Sequence, residues 1–331
     1  MKGKGKILNF FKYLLFLAIG VFLFWYLYRD MEMDSLITNL RGIKYEWIIL
    51  SLFVGFLSHI SRAMRWQMLV NTLGYKPKLS NSFFSVMIAY LANLALPRLG
   101  EVTRPTIVKK YEEIPYTTSF GTIVLERIID FLLLFIMTGI ALISEFSTIR
   151  TFLHDNPDVY DKFVLIFKIL LIAGVSGLVA LGVFYFFIRK RIREFAFYKK
   201  FREIMISFLE GVKTVKNIKN KSLFVFHSAF IWMMYFLSLY FCFLAFGFTE
   251  NLGIMAALIT FVIGSYGMVA PVQGGIGAWH FMVIATLLIY SVDFNDAKFF
   301  ALVAHGASTL VVLIGGSVSL ILLPVFNRKK K

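Results

Sequence analysis

Five long apolar runs, near residues 7–28, 45–61, 163–188, 222–247 and 299–323, constrain this chain more than any other feature. A bilayer core needs about 20 apolar helical residues to cross it. Inside that core no water satisfies an open backbone, so a spanning segment of this kind is expected to be helical. The 331 residues are 59% hydrophobic and only 16% charged, and their mean hydropathy is +0.75. A soluble domain of this length has far less apolar residue to hide. The expectation is an all-α integral membrane protein, one polytopic helix bundle over residues 1–331.

Two further stretches are apolar but imperfect. Residues 117–144 carry charges, and 252–291 are broken at "PVQGGIG". Counting 117–144 once and 252–291 as two crossings gives about eight spans. The first run follows "KGKGK" and lacks a small-residue cleavage signal behind it, so it is expected to be a retained span. Cys242, the single cysteine, lies in an apolar run and leaves no intrachain disulfide or Cys-based zinc site to expect.

The net charge of +16 is distributed as short basic runs between apolar ones. In a membrane protein that pattern reports topology and anionic-lipid contact rather than nucleic-acid binding. Residues 62–80 hold four basic and no acidic residues, 189–221 hold eleven basic and three acidic, and the tail reads "NRKKK". Residues 145–162 hold two basic and four acidic. The positive-inside rule therefore puts both termini, the 62–115 region and 189–221 on the cytoplasmic side of the cell membrane. Within 189–221, Phe201, Ile204, Met205, Phe208, Val212 and Val215 share one helical face, as in a helix lying on the membrane surface or a solvated linker helix packed on the bundle.

Residues 82–96 are apolar, short, and flanked on both sides by segments with cytoplasmic charge. The stretch "LALPRLGEVTRP" then ends the run, with Pro97 to stop a helix and Gly100 to permit a sharp turn. A re-entrant hairpin near 82–100 reconciles these signals, because non-helical backbone at membrane depth survives where protein or a polar cavity surrounds it. Arg98, Glu101 and Arg104 follow at helical spacing, beside the free amides of a helix N-terminus, which attract anions. Asn93, just before the break, joins them as a candidate. The later break repeats the logic. Pro271 stops a helix and Gly274, Gly275 and Gly277 free the backbone near 271–277. Two interrupted apolar segments, one in each half, point to a transporter-like binding site.

The uncharged run Phe131–Ser144 is only 14 residues, so its helix must carry Glu126, Arg127 and Asp130 below the bilayer surface. Each such charge costs on the order of 2.5–3.5 kcal/mol on insertion scales, so a cavity or a partner is expected. Arg127 can pair with Asp130 at i,i+3. Arg62 and Arg65, one turn apart and followed by Trp66, form either a positive-inside cap or a guanidinium pair for a lipid phosphate. His59, His154, His227, His280 and His305 are scattered without an H-E-x-x-H pattern, so no metal or other cofactor is expected.

"SRAMRW", "LANLALPRLGEVTRP", "TIVLERIIDFLLL" and "APVQGGIGAWH", in that order, resemble the lysylphosphatidylglycerol synthase transmembrane region, also called the flippase-like domain family. The resemblance runs over roughly residues 10–325. It implies a bundle related to the lipid-translocating half of a bifunctional synthase/flippase. The soluble aminoacyl-transferase part of that enzyme is not matched in these residues, so synthase activity is not expected of them. The leading expectation is a lipid translocase rather than an enzyme. An anionic or zwitterionic head group would meet Arg62, Arg65, Asn93, Arg98, Glu101, Arg104, Glu126, Arg127 and Asp130. Pro97, Gly100, Pro271, Gly274, Gly275 and Gly277 would serve as hinges. The alternatives are a membrane-embedded enzyme acting on a lipid-linked substrate, and a non-transporting partner of a lipid-synthesis complex. The expected partners are membrane lipids, with a homo-oligomer or a lipid-synthesis protein as further candidates.

Overall fold

The computed structural model describes residue 18, residues 20–30, 39–155 and 217–328, and scattered positions between 157 and 182. Most of the expected span at 163–188, most of the 189–221 segment and the start of the 7–28 span fall outside these residues. The described elements are all helical, and none is a strand. Residues 20–28 are helical. They are followed by α1 (Tyr45–Asn71), α2 (Leu79–Ala95), α3 (Leu99–Glu112), α4 (Tyr116–Ser144) and α5 (Phe146–Asp155). The C-terminal part holds α6 (Lys221–Ala245), α7 (Gly253–Val269), a 3₁₀ turn (Gln273–Gly275), α8 (Ala278–Ile289) and α9 (Phe294–Phe326).

Four of these helices, α1, α4, α6 and α9, are long and apolar enough to cross a membrane, while α2, α7 and the 273–289 segment are apolar but shorter. At 1.5 Å per residue, the 17 residues of α2 and of α7 reach about 25 Å, less than a hydrocarbon core of about 30 Å. The chain divides into two compact units, Met1–Ala141 with Thr214–Lys331, and Leu142–Lys213. The first unit contains the elements described below, and α5 lies in the second.

Small residues set the main helix contact, α1 against α6. Ser51 Oγ donates to the Ser238 carbonyl at 2.7 Å, and Gly55 lies against the Ser238 hydroxyl. With no hydrophobic drive between helices in lipid, close backbone approach and cross-helix hydrogen bonds of this kind hold such a pair together. On the same helix the buried side of α1 becomes polar toward its C-terminal half, at Ser58, His59, Ser61, Arg62 and Arg65.

The chain reverses between α2 and α3. Leu96 is extended, Pro97 is buried, and Arg98 adopts a left-handed φ of 61° before α3 begins. Only glycine fits at position 100, because a Cβ there would lie 2.2 Å from the Ala89 carbonyl oxygen. The two open ends of this hairpin meet again. The Glu112 carboxylate at the end of α3 accepts from the Lys78 backbone N–H at 3.0 Å and from the Asn81 side chain at the start of α2. Asn81 also exchanges hydrogen bonds with Asn327, at the end of α9.

The second interruption lies where Pro271 and the glycines place it. α7 stops at Val269, Gly274, Gly275 and Gly277 all have positive φ, and α8 starts at Ala278. The two arms pack closely, with Gly264 and Gly267 of α7 against Trp279 of α8. The turn at Gly274 abuts Leu94, in the last turn of α2, so the tips of the two helical hairpins touch. Behind the α2 arm, Gly315 and Gly316 of α9 admit Met87 and Leu91.

Candidate functional site

The charged residues of α4 converge with those of α1 and α3 in a buried ion network. Glu126 and Asp130 are four residues apart and share a face of α4, and Arg62 and Arg65 share a face of α1. Arg62 Nη1 donates to Asp130 Oδ2 at 2.8 Å, and Arg65 Nη2 donates to Asp130 Oδ1 at 2.7 Å. Arg104 of α3 donates from Nη1 to Glu126 Oε2 at 2.6 Å, and Arg65 Nη2 lies 3.6 Å from Glu126 Oε1. The side chain of Arg65 is fully buried, and those of Arg62 and Arg104 are 5% and 7% exposed.

Aromatic and hydroxyl groups complete the shell. Arg62 Nε donates to the Tyr235 hydroxyl at 3.2 Å, and Tyr90 lies 3.4 Å from the same oxygen. The Arg104 guanidinium lies 4.5 Å from the centre of the Trp66 ring, a cation–π contact. Trp66 Nε1 donates to Thr122 Oγ1 at 2.9 Å, tying α1 to α4. Guanidinium does not lose its proton in proteins, so the Arg104–Glu126 pair remains ionic.

A cavity opens beside this network, lined by Arg62, Tyr90, Asn93, Glu101, Arg104 and Arg127, among others. Its volume is about 20 Å³, room for about one water.

The sequence expectations are redistributed here. Arg62 and Arg65 are not an interfacial cap, because both are buried on Asp130. Asp130 takes these two distant partners instead of Arg127, which is exposed, lines the cavity and has no ion-pair partner within 4.0 Å among the described residues. Glu101 also lines the cavity, half-buried. Asn93 reaches the site with its Oδ1 committed to the Gly100 N–H at 2.7 Å, which ties α2 to the first turn of α3. Arg98 is exposed at the hairpin tip and does not line the cavity. Pro271, Gly274, Gly275 and Gly277 form the opposite tip and likewise lie off the cavity lining.

Nothing in the sequence marks Tyr90, Tyr235, Thr122 or the ring of Trp66 as functional. In aromatic-rich apolar runs, an isolated tyrosine looks like any other core residue. Proximity to Arg62 is what distinguishes Tyr90 and Tyr235.

The family model "Lysylphosphatidylglycerol synthase TM region" matches residues 13–316. A UPF0104 membrane protein of Methanocaldococcus jannaschii is 29% identical over 130 residues, which is 38% of this chain and 36% of that protein. A protein named Glycosyltransferase AglD, from Haloferax volcanii, is 30% identical over 88 residues, 26% of this chain and 14% of that protein. The chain thus matches about a third of the first relative's length and a seventh of the second's.

Proposed function

Because the chain belongs to the lysylphosphatidylglycerol synthase TM-region family, we propose that it is a lipid translocase that carries a polar head group between bilayer leaflets. One observation carries this reading. Four arginines gather around two carboxylates, and Arg127, which has no carboxylate within 4.0 Å among the described residues, lines the cavity. The other three are held by Asp130 and Glu126 and form a rigid cationic wall. An exposed guanidinium beside that wall suits a phosphodiester, which arginine binds bidentately. The acyl chains would stay in lipid while the head group passes the cavity.

On this reading α2 and α3 enter from the cytoplasmic face and return to it, and α7 and α8, in place of the two crossings expected from the sequence, enter from the outer face and return to it. The meeting of both ends of the first hairpin at Glu112 supports the first half of that topology. The loop charges support cytoplasmic termini. Opening the enclosed space would require the hairpin tips to part, with Gly100 and the 273–277 turn as the hinges.

A second reading, a membrane-embedded enzyme on a lipid-linked substrate, is favoured by the glycosyltransferase name of one relative. The geometry favours it less, since both oxygens of Glu126 face arginines, leaving it poorly placed as a general base. A non-transporting role in a lipid-synthesis complex is a third reading.

The deciding experiment reconstitutes the protein in vesicles and follows leaflet exchange of labelled lipids across a panel of head groups. Faster exchange of at least one phospholipid than in protein-free vesicles is expected. Background exchange across the whole panel would end the translocase reading. Consumption of a lipid-linked substrate, lost in Glu126→Gln, would replace it with the enzyme.

A further inference from the structure

Two buried histidines hold the second hairpin turn, away from the arginine network. His280 is the third residue of α8 and is 1% exposed. Its Nδ1 accepts the Gly277 backbone N–H at 3.3 Å, the role that Glu or Gln plays at this position of a capping box. His305 of α9 donates from Nε2 to the Gly274 carbonyl at 2.9 Å, and its Nδ1 accepts from the Thr309 hydroxyl at 3.3 Å. The Gly277 N–H assigns the His280 ring as neutral with its proton on Nε2, and the Gly274 carbonyl places a proton on Nε2 of His305. The ring centres are 4.5 Å apart. Each histidine therefore bonds a different backbone group of the same turn.

Gly277 has φ +81°, and a Cβ there would lie 2.7 Å from the Gly20 carbonyl oxygen, so the turn is packed against the 20–28 helix. Around His280 stand Phe24 and Tyr28 of that helix, Trp279 of α8 and His305 of α9, all in ring contact. The Tyr28 hydroxyl donates to the Lys298 carbonyl at 3.1 Å. Lys298 itself is buried on α9, with its ammonium over the Phe294 ring. On α7, which packs on Trp279, the titratable group is Tyr266, hydrogen-bonded to Thr138 of α4. No carboxylate among the described residues pairs with either ring within 4.0 Å.

We propose that His280 is a proton-binding site that controls the hairpin turn, closed when the ring is neutral and released when it is protonated. A proton on Nδ1 uses the lone pair that accepts the Gly277 N–H, so two donors then face each other and the cap is lost. The new charge also sits at the N-terminus of α8, where the helix dipole disfavours a cation, and no carboxylate is at hand to offset it. His305 responds differently. A proton on its Nδ1 is donated to the Thr309 hydroxyl oxygen, and the bond from Nε2 to Gly274 remains. The pair is thus asymmetric, and His280 alone couples proton uptake to the turn. This inference stands whether or not the chain moves lipid.

Amide hydrogen exchange of the full protein in detergent tests it, read at residues 272–281 and corrected for the intrinsic pH dependence of exchange. Wild type should lose about five-fold in protection or more between pH 8 and pH 5, the scale set by one helix cap. His280→Gln should be flat, because its amide oxygen accepts the Gly277 N–H at every pH. His305→Gln should keep the wild-type response. A flat wild-type profile overturns the proposal. So does a response that survives in His280→Gln or disappears only in His305→Gln. If His280→Gln does not fold, His280→Asn takes its place.

Discussion

Arg65 Nη2 donates to Asp130 Oδ1 at 2.7 Å, joining two residues 65 positions apart with the arginine side chain fully buried. Asp130 therefore ties α4 to α1 through two arginines, holding Arg62 with its other oxygen. An ion network of this kind is defined by its connectivity more than by any single bond, and that connectivity makes distinct demands on each member.

Removing one partner of the Arg104–Glu126 pair should be costly. Each side chain is less than a tenth exposed, and a buried charge left without its partner costs about 3–5 kcal/mol. Glu126→Leu and Arg104→Met are each expected to destabilise the protein by about that amount. The double variant should recover much of the loss, since two packed apolar side chains replace two desolvated charges. Denaturant titration in detergent of the four proteins, read as a double-mutant cycle, measures it. A double variant no more stable than the sum of the singles would show that the pair is not energetically coupled.

Arg127 should behave in the opposite way. It lines the cavity, is exposed, and has no ion-pair partner within 4.0 Å among the described residues. Arg127→Gln is expected to leave stability within about 0.5 kcal/mol, as for surface sites without a named interaction, while lipid exchange in vesicles falls to background. Unchanged exchange would move the head group away from this residue. A large loss of stability would make Arg127 part of the scaffold.

Gly100 is held by the approach of another backbone. A Cβ would meet Ala89 O at 2.2 Å and Asn93 Oδ1 at 2.9 Å, and neither the helical carbonyl nor the capping asparagine can move away without opening the hairpin. Gly100→Ala should cost about 1–3 kcal/mol, the range for overpacking. It should also raise hydrogen exchange in the first turn of α3. Gly121→Ala is the control, since that glycine has nothing within 4 Å of its added Cβ.

The interruptions were legible in the sequence because proline and glycine act locally. Pro97 and Pro271 mark the ends of two helices, and Glu126 and Asp130 declare a shared helical face through their spacing alone. The partner of Asp130 was not legible. Local spacing favours Arg127, one turn away, but packing brings Arg62 and Arg65 from α1, and two buried guanidiniums take both oxygens of one carboxylate. Arg98 looked equivalent to Arg104 in the same motif. The reversal of the chain separates them, leaving Arg98 at the exposed tip and placing Arg104 one and a half turns into α3, over Trp66. Tyr235 could enter the site only through tertiary contact between α6 and α1.

The contact between the hairpin tips offers a test of whether they move apart. The Leu94 side chain lies where a Cβ on Gly274 would be 2.6 Å from its Cδ2, so the two positions face each other across the contact. Gly274 has φ 55° and ψ 17°, a left-handed conformation that costs a non-glycine residue about 1–2 kcal/mol and should be tolerated. Cys242, the native cysteine, is buried beside Ser51 at 3.4 Å and gives little background. Leu94→Cys with Gly274→Cys should form a disulfide on mild oxidation. If the tips must part for a head group to pass, oxidation stops leaflet exchange and reduction restores it, while each single variant is indifferent to oxidant. Exchange that continues at full rate in the cross-linked protein would place the moving parts elsewhere and leave the two tips as a fixed junction.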